Sequence, residues 1–416
     1  MRIALAFVLL AGLLSPAQAQ PTTDGLQLER VVFLMRHGIR PPTRDPSLGE
    51  NYARDPWPAW PVDFGLMTPR GAAGIRLLAE ADRADYIRRG LLPAEGCLPA
   101  GSILAESSAK SRAIRTGEAY VAALLPGCGI AVIHPEREGP EDIMFHPLDA
   151  GPADFDGAAA LSETLAAVAP QSMAVESTRW RDQIALLDRV LGCCMAAVCA
   201  ANRAPSPCTL ADIPSGLRGN PHDRPDLTGP LSIGSTASQT FLLEYLEGKP
   251  LSEVGWGRID RDQIEALLAI NVAKFHYENA SPSVLRRAAG PLATRMAEAL
   301  SADGGQRFTL LFGHDTNIAD VGRLLGLAWR VPSYPAGAVP PGGALGFELL
   351  RDAEGRRFVR AFFRAQTMDQ LRNQQALDPA APGYRSYLDI PGCATPCMIE
   401  NFTALVHARL ASAARP

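Results

Sequence analysis

The chain has 416 residues, of which 47% are hydrophobic and 20% charged, with a formal net charge of −4. This is ordinary globular composition, enough for about two domains or one large domain with an insertion. The acidic balance argues against sequence-independent nucleic-acid binding, which needs a basic excess, and no repeat or low-complexity tract is present.

Met1-Arg2 opens the chain, followed by the apolar run Ile3 to Leu14 and by Ala17-Gln18-Ala19. A charged start, a short apolar core and a small-x-small site read as a cleaved secretory signal over residues 1–19. A membrane anchor would need roughly 18 or more apolar residues. No later run is long enough to span a bilayer, so the expected location is the periplasm or the cell exterior, with no membrane partner. The eight cysteines of an exported chain are expected to pair. No CxxC, HExxH or clustered His/Cys set appears, so no metal site is expected.

Val31-Val32-Phe33-Leu34-Met35 reads as a short strand buried on both faces. It breaks into Arg36-His37-Gly38-Ile39-Arg40-Pro41-Pro42-Thr43, where Gly38 permits a sharp turn or a close approach and the two prolines stiffen the exit. Arg36, His37 and Arg40 are thereby delivered to the carboxyl edge of a sheet, where open α/β folds bind ligands. Two guanidiniums beside an imidazole make a good anion cradle.

Thr68-Pro69 then reads as an N-cap with proline in the first turn. The helix that follows carries Ala72, Ile75, Ala79 and Tyr86 on one face and is closed by Gly90. Ile103-Leu104-Ala105 reads as a second buried strand. Ser107 and Ser108 are N-cap candidates for a helix through Arg112, Arg115, Tyr120 and Leu124. Arg112 thus falls in the first turns of a helix, where anions are favoured.

From about residue 155 to 280 the pattern is helical, with faces at Trp180/Ile184/Leu187/Leu191, Phe241/Leu242/Tyr245/Leu246 and Ile264/Leu268/Phe275 after an Asp260 N-cap. Ala204 to Thr236 reads as loop. His134, His146, His222, His276 and His407 show no partner spacing and are read as structural or surface residues. Phe308 to Phe312 forms another short apolar strand, followed by Gly313-His314-Asp315-Thr316-Asn317 and a helix buried through Ile318, Val321, Leu324 and Leu325. Asp315 or Thr316 also fits a plain N-cap. Taken together, the pattern is a sheet-based α/β domain interrupted by a helical insertion.

Arg36-His37-Gly38-Ile39-Arg40-Pro41-Pro42-Thr43 together with His314-Asp315 resembles the paired motifs of the histidine acid phosphatases, branch 2 of the histidine phosphatase superfamily. Trp57 to Pro61, Leu66 to Gly71, Thr116 to Ala119, Gly255 to Ile259, Gly313 to Ile318 and Pro340 to Gly343 resemble segments of bacterial periplasmic phytases and glucose-1-phosphatases, in the same order. The resemblance implies a phosphoglycerate-mutase-like sheet flanked by helices, over residues 20–154 and 280–416, with a smaller α-helical domain over 155–279.

The activity it implies is hydrolysis of phosphate monoesters through a phosphohistidine, by a monomer without cofactor or metal, acting on a small-molecule ester. His37 would be the nucleophile and Asp315 the proton donor. Arg36, Arg40, Arg112 and His314 would hold the phosphate, with Thr43 and Arg44 touching substrate. Phytate is the expected substrate, with a sugar-phosphatase of glucose-1-phosphatase type or a broad-specificity acid phosphatase as the alternative. A metal-dependent phosphohydrolase using His37, His314 and Asp315 as ligands, or a non-catalytic exported binding protein, are the rival classes. Ser108 and Lys110 stand in a region that is acidic in the phytases, and Gln239 stands where they carry glutamate. These changes bear on substrate rather than reaction. Family pattern and proximity pair Cys97 with Cys128, Cys199 with Cys208, and Cys393 with Cys397. Cys193 and Cys194 are left either free and buried in a helix or joined to each other.

Overall fold

Strand β1 (Gln27–Arg36) lies near the centre of the sheet, and residues Val31 to Met35 are wholly buried. A computed structural model describes residues 25–412 except 46, 50, 140, 152–154 and 382, so the expected signal segment 1–19 lies outside the described residues. After β1 come α1 (Pro69–Arg88), β2 (Ile103–Ser107), α2 (Ser111–Leu124) and β3 (Val132–Ile133). A helical stretch follows: α3 (Gly157–Val168), α4 (Met173–Ser177), α5 (Arg181–Leu191) and α6 (Ala196–Ala201). The short hairpin β4 (Gly216–Arg218) and β5 (Asp226–Thr228) leads to α7 (Pro230–Leu246), α8 (Arg261–Glu278) and α9 (Pro282–Ser301). The chain then returns to the sheet through β6 (Phe308–Gly313), α10 (Asp315–Leu325), β7 (Ala344–Arg351), β8 (Arg357–Arg364), α11 (Met368–Arg372), β9 (Arg385–Leu388), β10 (Cys397–Met398) and α12 (Ile399–Ser412).

The main sheet runs β10-β8-β7-β1-β6-β2-β3, with β9 also on β8. Strands β1, β6, β2 and β3 are mutually parallel, and β7 joins β1 antiparallel. Successive side chains of β1 alternate between the two faces. Val31, Phe33 and Met35 pack with Ile75, Leu78 and Tyr86 of α1 and Tyr120 of α2. Val32 and Leu34 belong to the opposite core with Met296 of α9, Ile318 of α10 and Phe402 of α12. Burial on both faces explains why the strand is an uninterrupted apolar run.

Thr68 caps α1 as expected, its Oγ1 accepting from Gly71 N at 2.9 Å, and Asp260 forms a capping box with Gln263 on α8. Other elements differ from the sequence reading. Ser107 pairs with Phe312 as the last residue of β2, and α2 begins only at Ser111 after Lys110. Ser108 does not cap the helix because it lies two residues before the N-cap position, and its Oγ accepts from Lys110 N at 3.3 Å rather than from an N–H of the first turn. Ala204 to Thr236 is not all loop: it holds β4, β5 and the first turns of α7, whose initial Pro230 suits a helix start as well as a turn. Trp180 sits in a 3-10 turn just before α5. The sequence pattern does not mark strands β7 and β8, which pair antiparallel over their full eight residues.

The pairs Cys97–Cys128, Cys199–Cys208 and Cys393–Cys397 are bonded, with Cα separations of 5.6, 5.7 and 5.4 Å. Cys193 and Cys194 are joined to each other, in the loop after Gly192 closes α5. No helix among the described residues is long and apolar enough to cross a membrane.

Candidate active site

Register builds the site. Arg36 of β1 lies opposite Gly313 of β6, so His37 and His314 leave the sheet next to each other, with ring centroids 5.5 Å apart. Both are buried. Gly38 is required by close approach: a Cβ there would come within 2.9 Å of Met67 Sδ and 3.1 Å of the Gly71 carbonyl. Its N–H donates to Thr116 Oγ1 at 3.0 Å, which ties the loop to α2. At the other strand end, His314 N donates to Asn317 Oδ1 at 2.9 Å. His314 therefore stands as the N-cap residue of α10, and Asp315 is its first helical residue.

His37 Nδ1 lies 2.8 Å from the Gly38 carbonyl. A carbonyl only accepts, so Nδ1 carries the proton and Nε2 keeps its lone pair. Burial first, then Arg40, Arg112 and Arg36, hold His37 well below the ordinary imidazole value. It is a neutral imidazole with one unshared pair.

Arg36 is 1% exposed. Its Nη1 donates to the Val339 carbonyl and its Nη2 to Gln239 Oε1 at 2.8 Å, and Nη2 also pairs with Asp315 Oδ2 at 2.9 Å. Burial, Arg112 and Arg36 pull Arg40 down to about 9 against the opposing field of Asp315. Arg112 is lowered by burial, with Asp315 and Glu138 opposing. The Nε atoms of all three arginines are buried without a hydrogen-bond partner. Burial would raise the Asp315 carboxyl, but Arg36, Arg40 and the Thr316 N–H outweigh it and keep the group below its ordinary value. Three guanidiniums thus face Asp315, with Glu138 acting on Arg112 alone. An anion is the missing charge.

Beside these residues opens a cleft of about 350 Å³ lined by Arg40, Thr43, Arg44, Gln239, Asn271, Lys274, Asp315 and Thr316. Thr43 and Arg44 are exposed at its rim, the latter anchored to the Ser47 carbonyl at 3.2 Å. Arg36, His37, Arg40, Arg112, His314 and Asp315 are coupled to one another by contact or charge. The sequence does not single out Asn271 and Lys274, marks Gln239 as a departure from a pattern, and marks Ser108 both as such a departure and as an N-cap candidate. Ser108 Oγ lies 3.2 Å from His314 Nε2. His146 was also missed: its ring lies 4.9 Å from that of His314. Only its four-residue spacing from Asp142 could have signalled it. Lys110 turns aside to pair with Glu138.

A neutral buried histidine among surplus arginines at the carboxyl ends of parallel strands defines a phosphate-handling enzyme with a histidine at its centre. The family description "Histidine phosphatase superfamily (branch 2)" matches residues 27–178 and 277–364. Phytase AppA of Escherichia coli K12 is 32% identical over 410 residues, spanning 94% of this chain and 93% of that protein. The glucose-1-phosphatase of Salmonella typhimurium is 29% identical over 403 residues, spanning 94% and 95%. The Hafnia alvei phytase in complex with tartrate superposes with a TM-score of 0.86 at 30% identity, covering 95% of this chain and 100% of that one. The chain belongs to branch 2 of the histidine phosphatase superfamily and is a phosphoric monoester hydrolase.

Proposed function

We propose that this is an exported acid phosphatase that hydrolyses phytate through a phosphohistidine on His37. The observation that carries the reading is the tautomer of His37: Nδ1 is tied to the Gly38 carbonyl, leaving the Nε2 lone pair for phosphorus among three under-compensated arginines. Nε2 attacks in line, the P–O bond to the leaving group breaks, and water then cleaves the P–N bond. Arg36, Arg40, Arg112 and His314 hold the non-bridging oxygens. Positioning and charge stabilisation supply most of the catalysis in such a transfer.

Asp315 changes state during the cycle. In the empty site it is an ion-pair partner of Arg36. A bound phosphate takes over the arginine charge, the carboxyl pKa rises, and Asp315 becomes able to protonate the departing alkoxide. Ionised again, it then takes a proton from the attacking water.

Phytate is supported by the phytase relatives and by cations at the cleft, where Arg44 and Lys274 join Arg40. A sugar monophosphate is the second reading, supported by the glucose-1-phosphatase relative and by the neutral Ser108 and Gln239. Export is supported by residues 1–19 and by the four disulfides. The stretch 155–279 is read as an inserted helical domain; the family match resumes at residue 277 after a gap from 179.

The test is a quench of the enzyme with radiolabelled phytate and with glucose 1-phosphate at acidic pH, in chelator. Acid-labile phosphate on His37 and faster release from phytate are expected. Turnover without phosphohistidine, or loss of activity in chelator, would overturn the mechanism. Preference for glucose 1-phosphate would replace the substrate only.

A further inference from the structure

Three parallel strands end together at the site: β1 at Arg36, β6 at Gly313 and β2 at Ser107. The residue that follows β2, Ser108, has no part in the scheme above. It is fully buried, and its Oγ donates to Asp142 Oδ2 at 2.7 Å. Asp142, itself 1% exposed, also accepts from Ala109 N at 3.0 Å through the same oxygen. A hydroxyl carries one proton, and this one is committed to Asp142. The 3.2 Å contact between Ser108 Oγ and His314 Nε2 therefore has Nε2–H as its donor. The chain of donation runs from His314 to Ser108 to Asp142.

The two site histidines are thus held in opposite tautomers. His37 is protonated at Nδ1 by its bond to the Gly38 carbonyl, and His314 is protonated at Nε2. With Nε2 committed, Nδ1 is the one atom His314 has left for a phosphate oxygen. In the neutral ring that atom is an acceptor, unable to donate to a dianion.

We propose that Ser108 and Asp142 are positioning residues that fix His314 as its Nε2–H tautomer, so that His314 binds the phosphoryl group only with one proton shared between Nδ1 and a non-bridging oxygen. The inference rests on the reading of His314 as a phosphate ligand. The shared proton arrives with the monoanionic ester, as P–O–H donating to Nδ1. It stays with the phosphoryl group through both transfers and leaves with the product as monobasic phosphate, so none is consumed.

The groups facing His314 fit this account. Arg112 acts from the start of α2, with a weaker field from the Glu138-paired Lys110; Arg40 and His37 act from the loop after β1, and His146 packs its ring against that of His314. Of the carboxylates, Asp142 meets His314 through Ser108 and lies 3.8 Å from Nε2 of the packed His146, and Asp315 is next in the chain. Burial, then Arg112, His146, Arg40 and Lys110, hold His314 well below the ordinary imidazole value. The empty ring is neutral, and the proton must come with the ligand.

The device makes the site selective for monoanionic phosphoryl groups, and hence for acidic conditions, independently of Asp315. The experiment is calorimetry of inorganic phosphate binding at mildly alkaline pH, in two buffers of different ionisation enthalpy, for the wild type and Ser108→Ala. The wild type should take up about one more proton per phosphate than the variant, and its affinity should fall about tenfold more steeply per pH unit. In 15N-histidine spectra of the wild type, His314 should be protonated at Nε2 and His37 at Nδ1. That second measurement needs no folded variant. Equal proton uptake in the two proteins, or His314 protonated at Nδ1 in the wild type, would overturn the proposal. Phosphohistidine trapping on His37 separates the failures. A trapped intermediate with unchanged proton uptake sinks the relay alone, whereas absence of the intermediate sinks the reading of the site.

Discussion

Two of the buried groups of arginines and carboxylates in this molecule are balanced in opposite ways. Between α1 and the β7–β9 side of the sheet, Asp82 is met by Arg364 at 2.7 Å, Arg385 at 3.2 Å and the hydroxyls of Tyr120 and Tyr384 at 2.7 and 2.6 Å. Glu348 there pairs with Arg89, Arg385 and Arg360 at 2.6, 2.7 and 2.9 Å. Burial disfavours these charges, but their partners outweigh it: Arg364 and Arg385 are raised and Glu348 is held at about 2. At the strand ends, Arg36, Arg40 and Arg112 share Asp315, with Glu138 acting on Arg112 alone, and Arg40 is pulled down to about 9. The same residue types close one region upon itself and leave the other short of an anion. The first is a structural clamp; the second is, in the proposed scheme, completed by the phosphate.

The comparison is broken most severely at His37, the proposed nucleophile. His37→Ala should abolish both the phosphoenzyme and turnover with every substrate, while leaving the clamp and the fold intact. Rapid-quench labelling alongside circular dichroism checks this. Residual phosphoenzyme would mean that another residue accepts the phosphoryl group.

Asp315→Ala comes next. An alkyl ester leaves as a strongly basic alkoxide and needs a proton, whereas p-nitrophenolate needs much less help. Single-turnover phosphorylation should therefore fall on the order of 10²–10⁴-fold with phytate and far less with p-nitrophenyl phosphate. Equal losses on both would reduce Asp315 to a partner for Arg36.

In the clamp the expected loss is stability rather than chemistry. Arg364→Met leaves Asp82 buried and under-compensated, a change that typically costs about 3–5 kcal/mol. Denaturant midpoints should drop accordingly, with kcat per folded molecule preserved. Glu348 adds a pH signature. Its folded pKa is depressed, so its contribution is fully present above the unfolded value of about 4.3 and is lost as pH falls toward about 2. An enzyme working in acid keeps this clamp over most of its range. Acid unfolding that begins well above pH ~4.3 would assign the limit to other groups.

The catalytic half of this contrast was readable in the sequence, the clamp was not. Arg36, His37 and Arg40 follow an apolar run that had to be a buried strand, and His314-Asp315 repeat that grammar, so local pattern alone brought them to one sheet edge. Arg112 needed the helix start after β2 as well. The clamp draws Asp82 from α1, Glu348 from β7, Arg364 from β8 and Arg385 from β9, and no spacing links them. Ser108 illustrates the limit at the site itself. Its position before a helix suggested a cap, and only the parallel register of β2 on β6 turns it toward His314. His146, likewise, gains meaning only once a loop folds over the end of β6.

The smallest effect sharpens the comparison most. If Arg40 is part of an uncompensated surplus, removing it relieves repulsion with Arg36 and Arg112 instead of orphaning a carboxylate, because Asp315 keeps its 2.9 Å pair with Arg36. Arg40→Met should therefore leave the phosphate-free protein as stable as the wild type, or more stable by up to about 1 kcal/mol, the size that relief of like-charge repulsion commonly gives. The loss should appear only with ligand. At a phosphate concentration 100 times its Kd, the wild type gains about 2.7 kcal/mol from binding. The variant at the same concentration should gain visibly less, because one cationic fork is missing. Scanning calorimetry of both proteins, with and without inorganic phosphate, reads the two quantities together. If Arg40→Met destabilised the phosphate-free protein as severely as Arg364→Met, the two regions would be built alike, and the strand-end arginines would belong to the scaffold rather than wait for an anion.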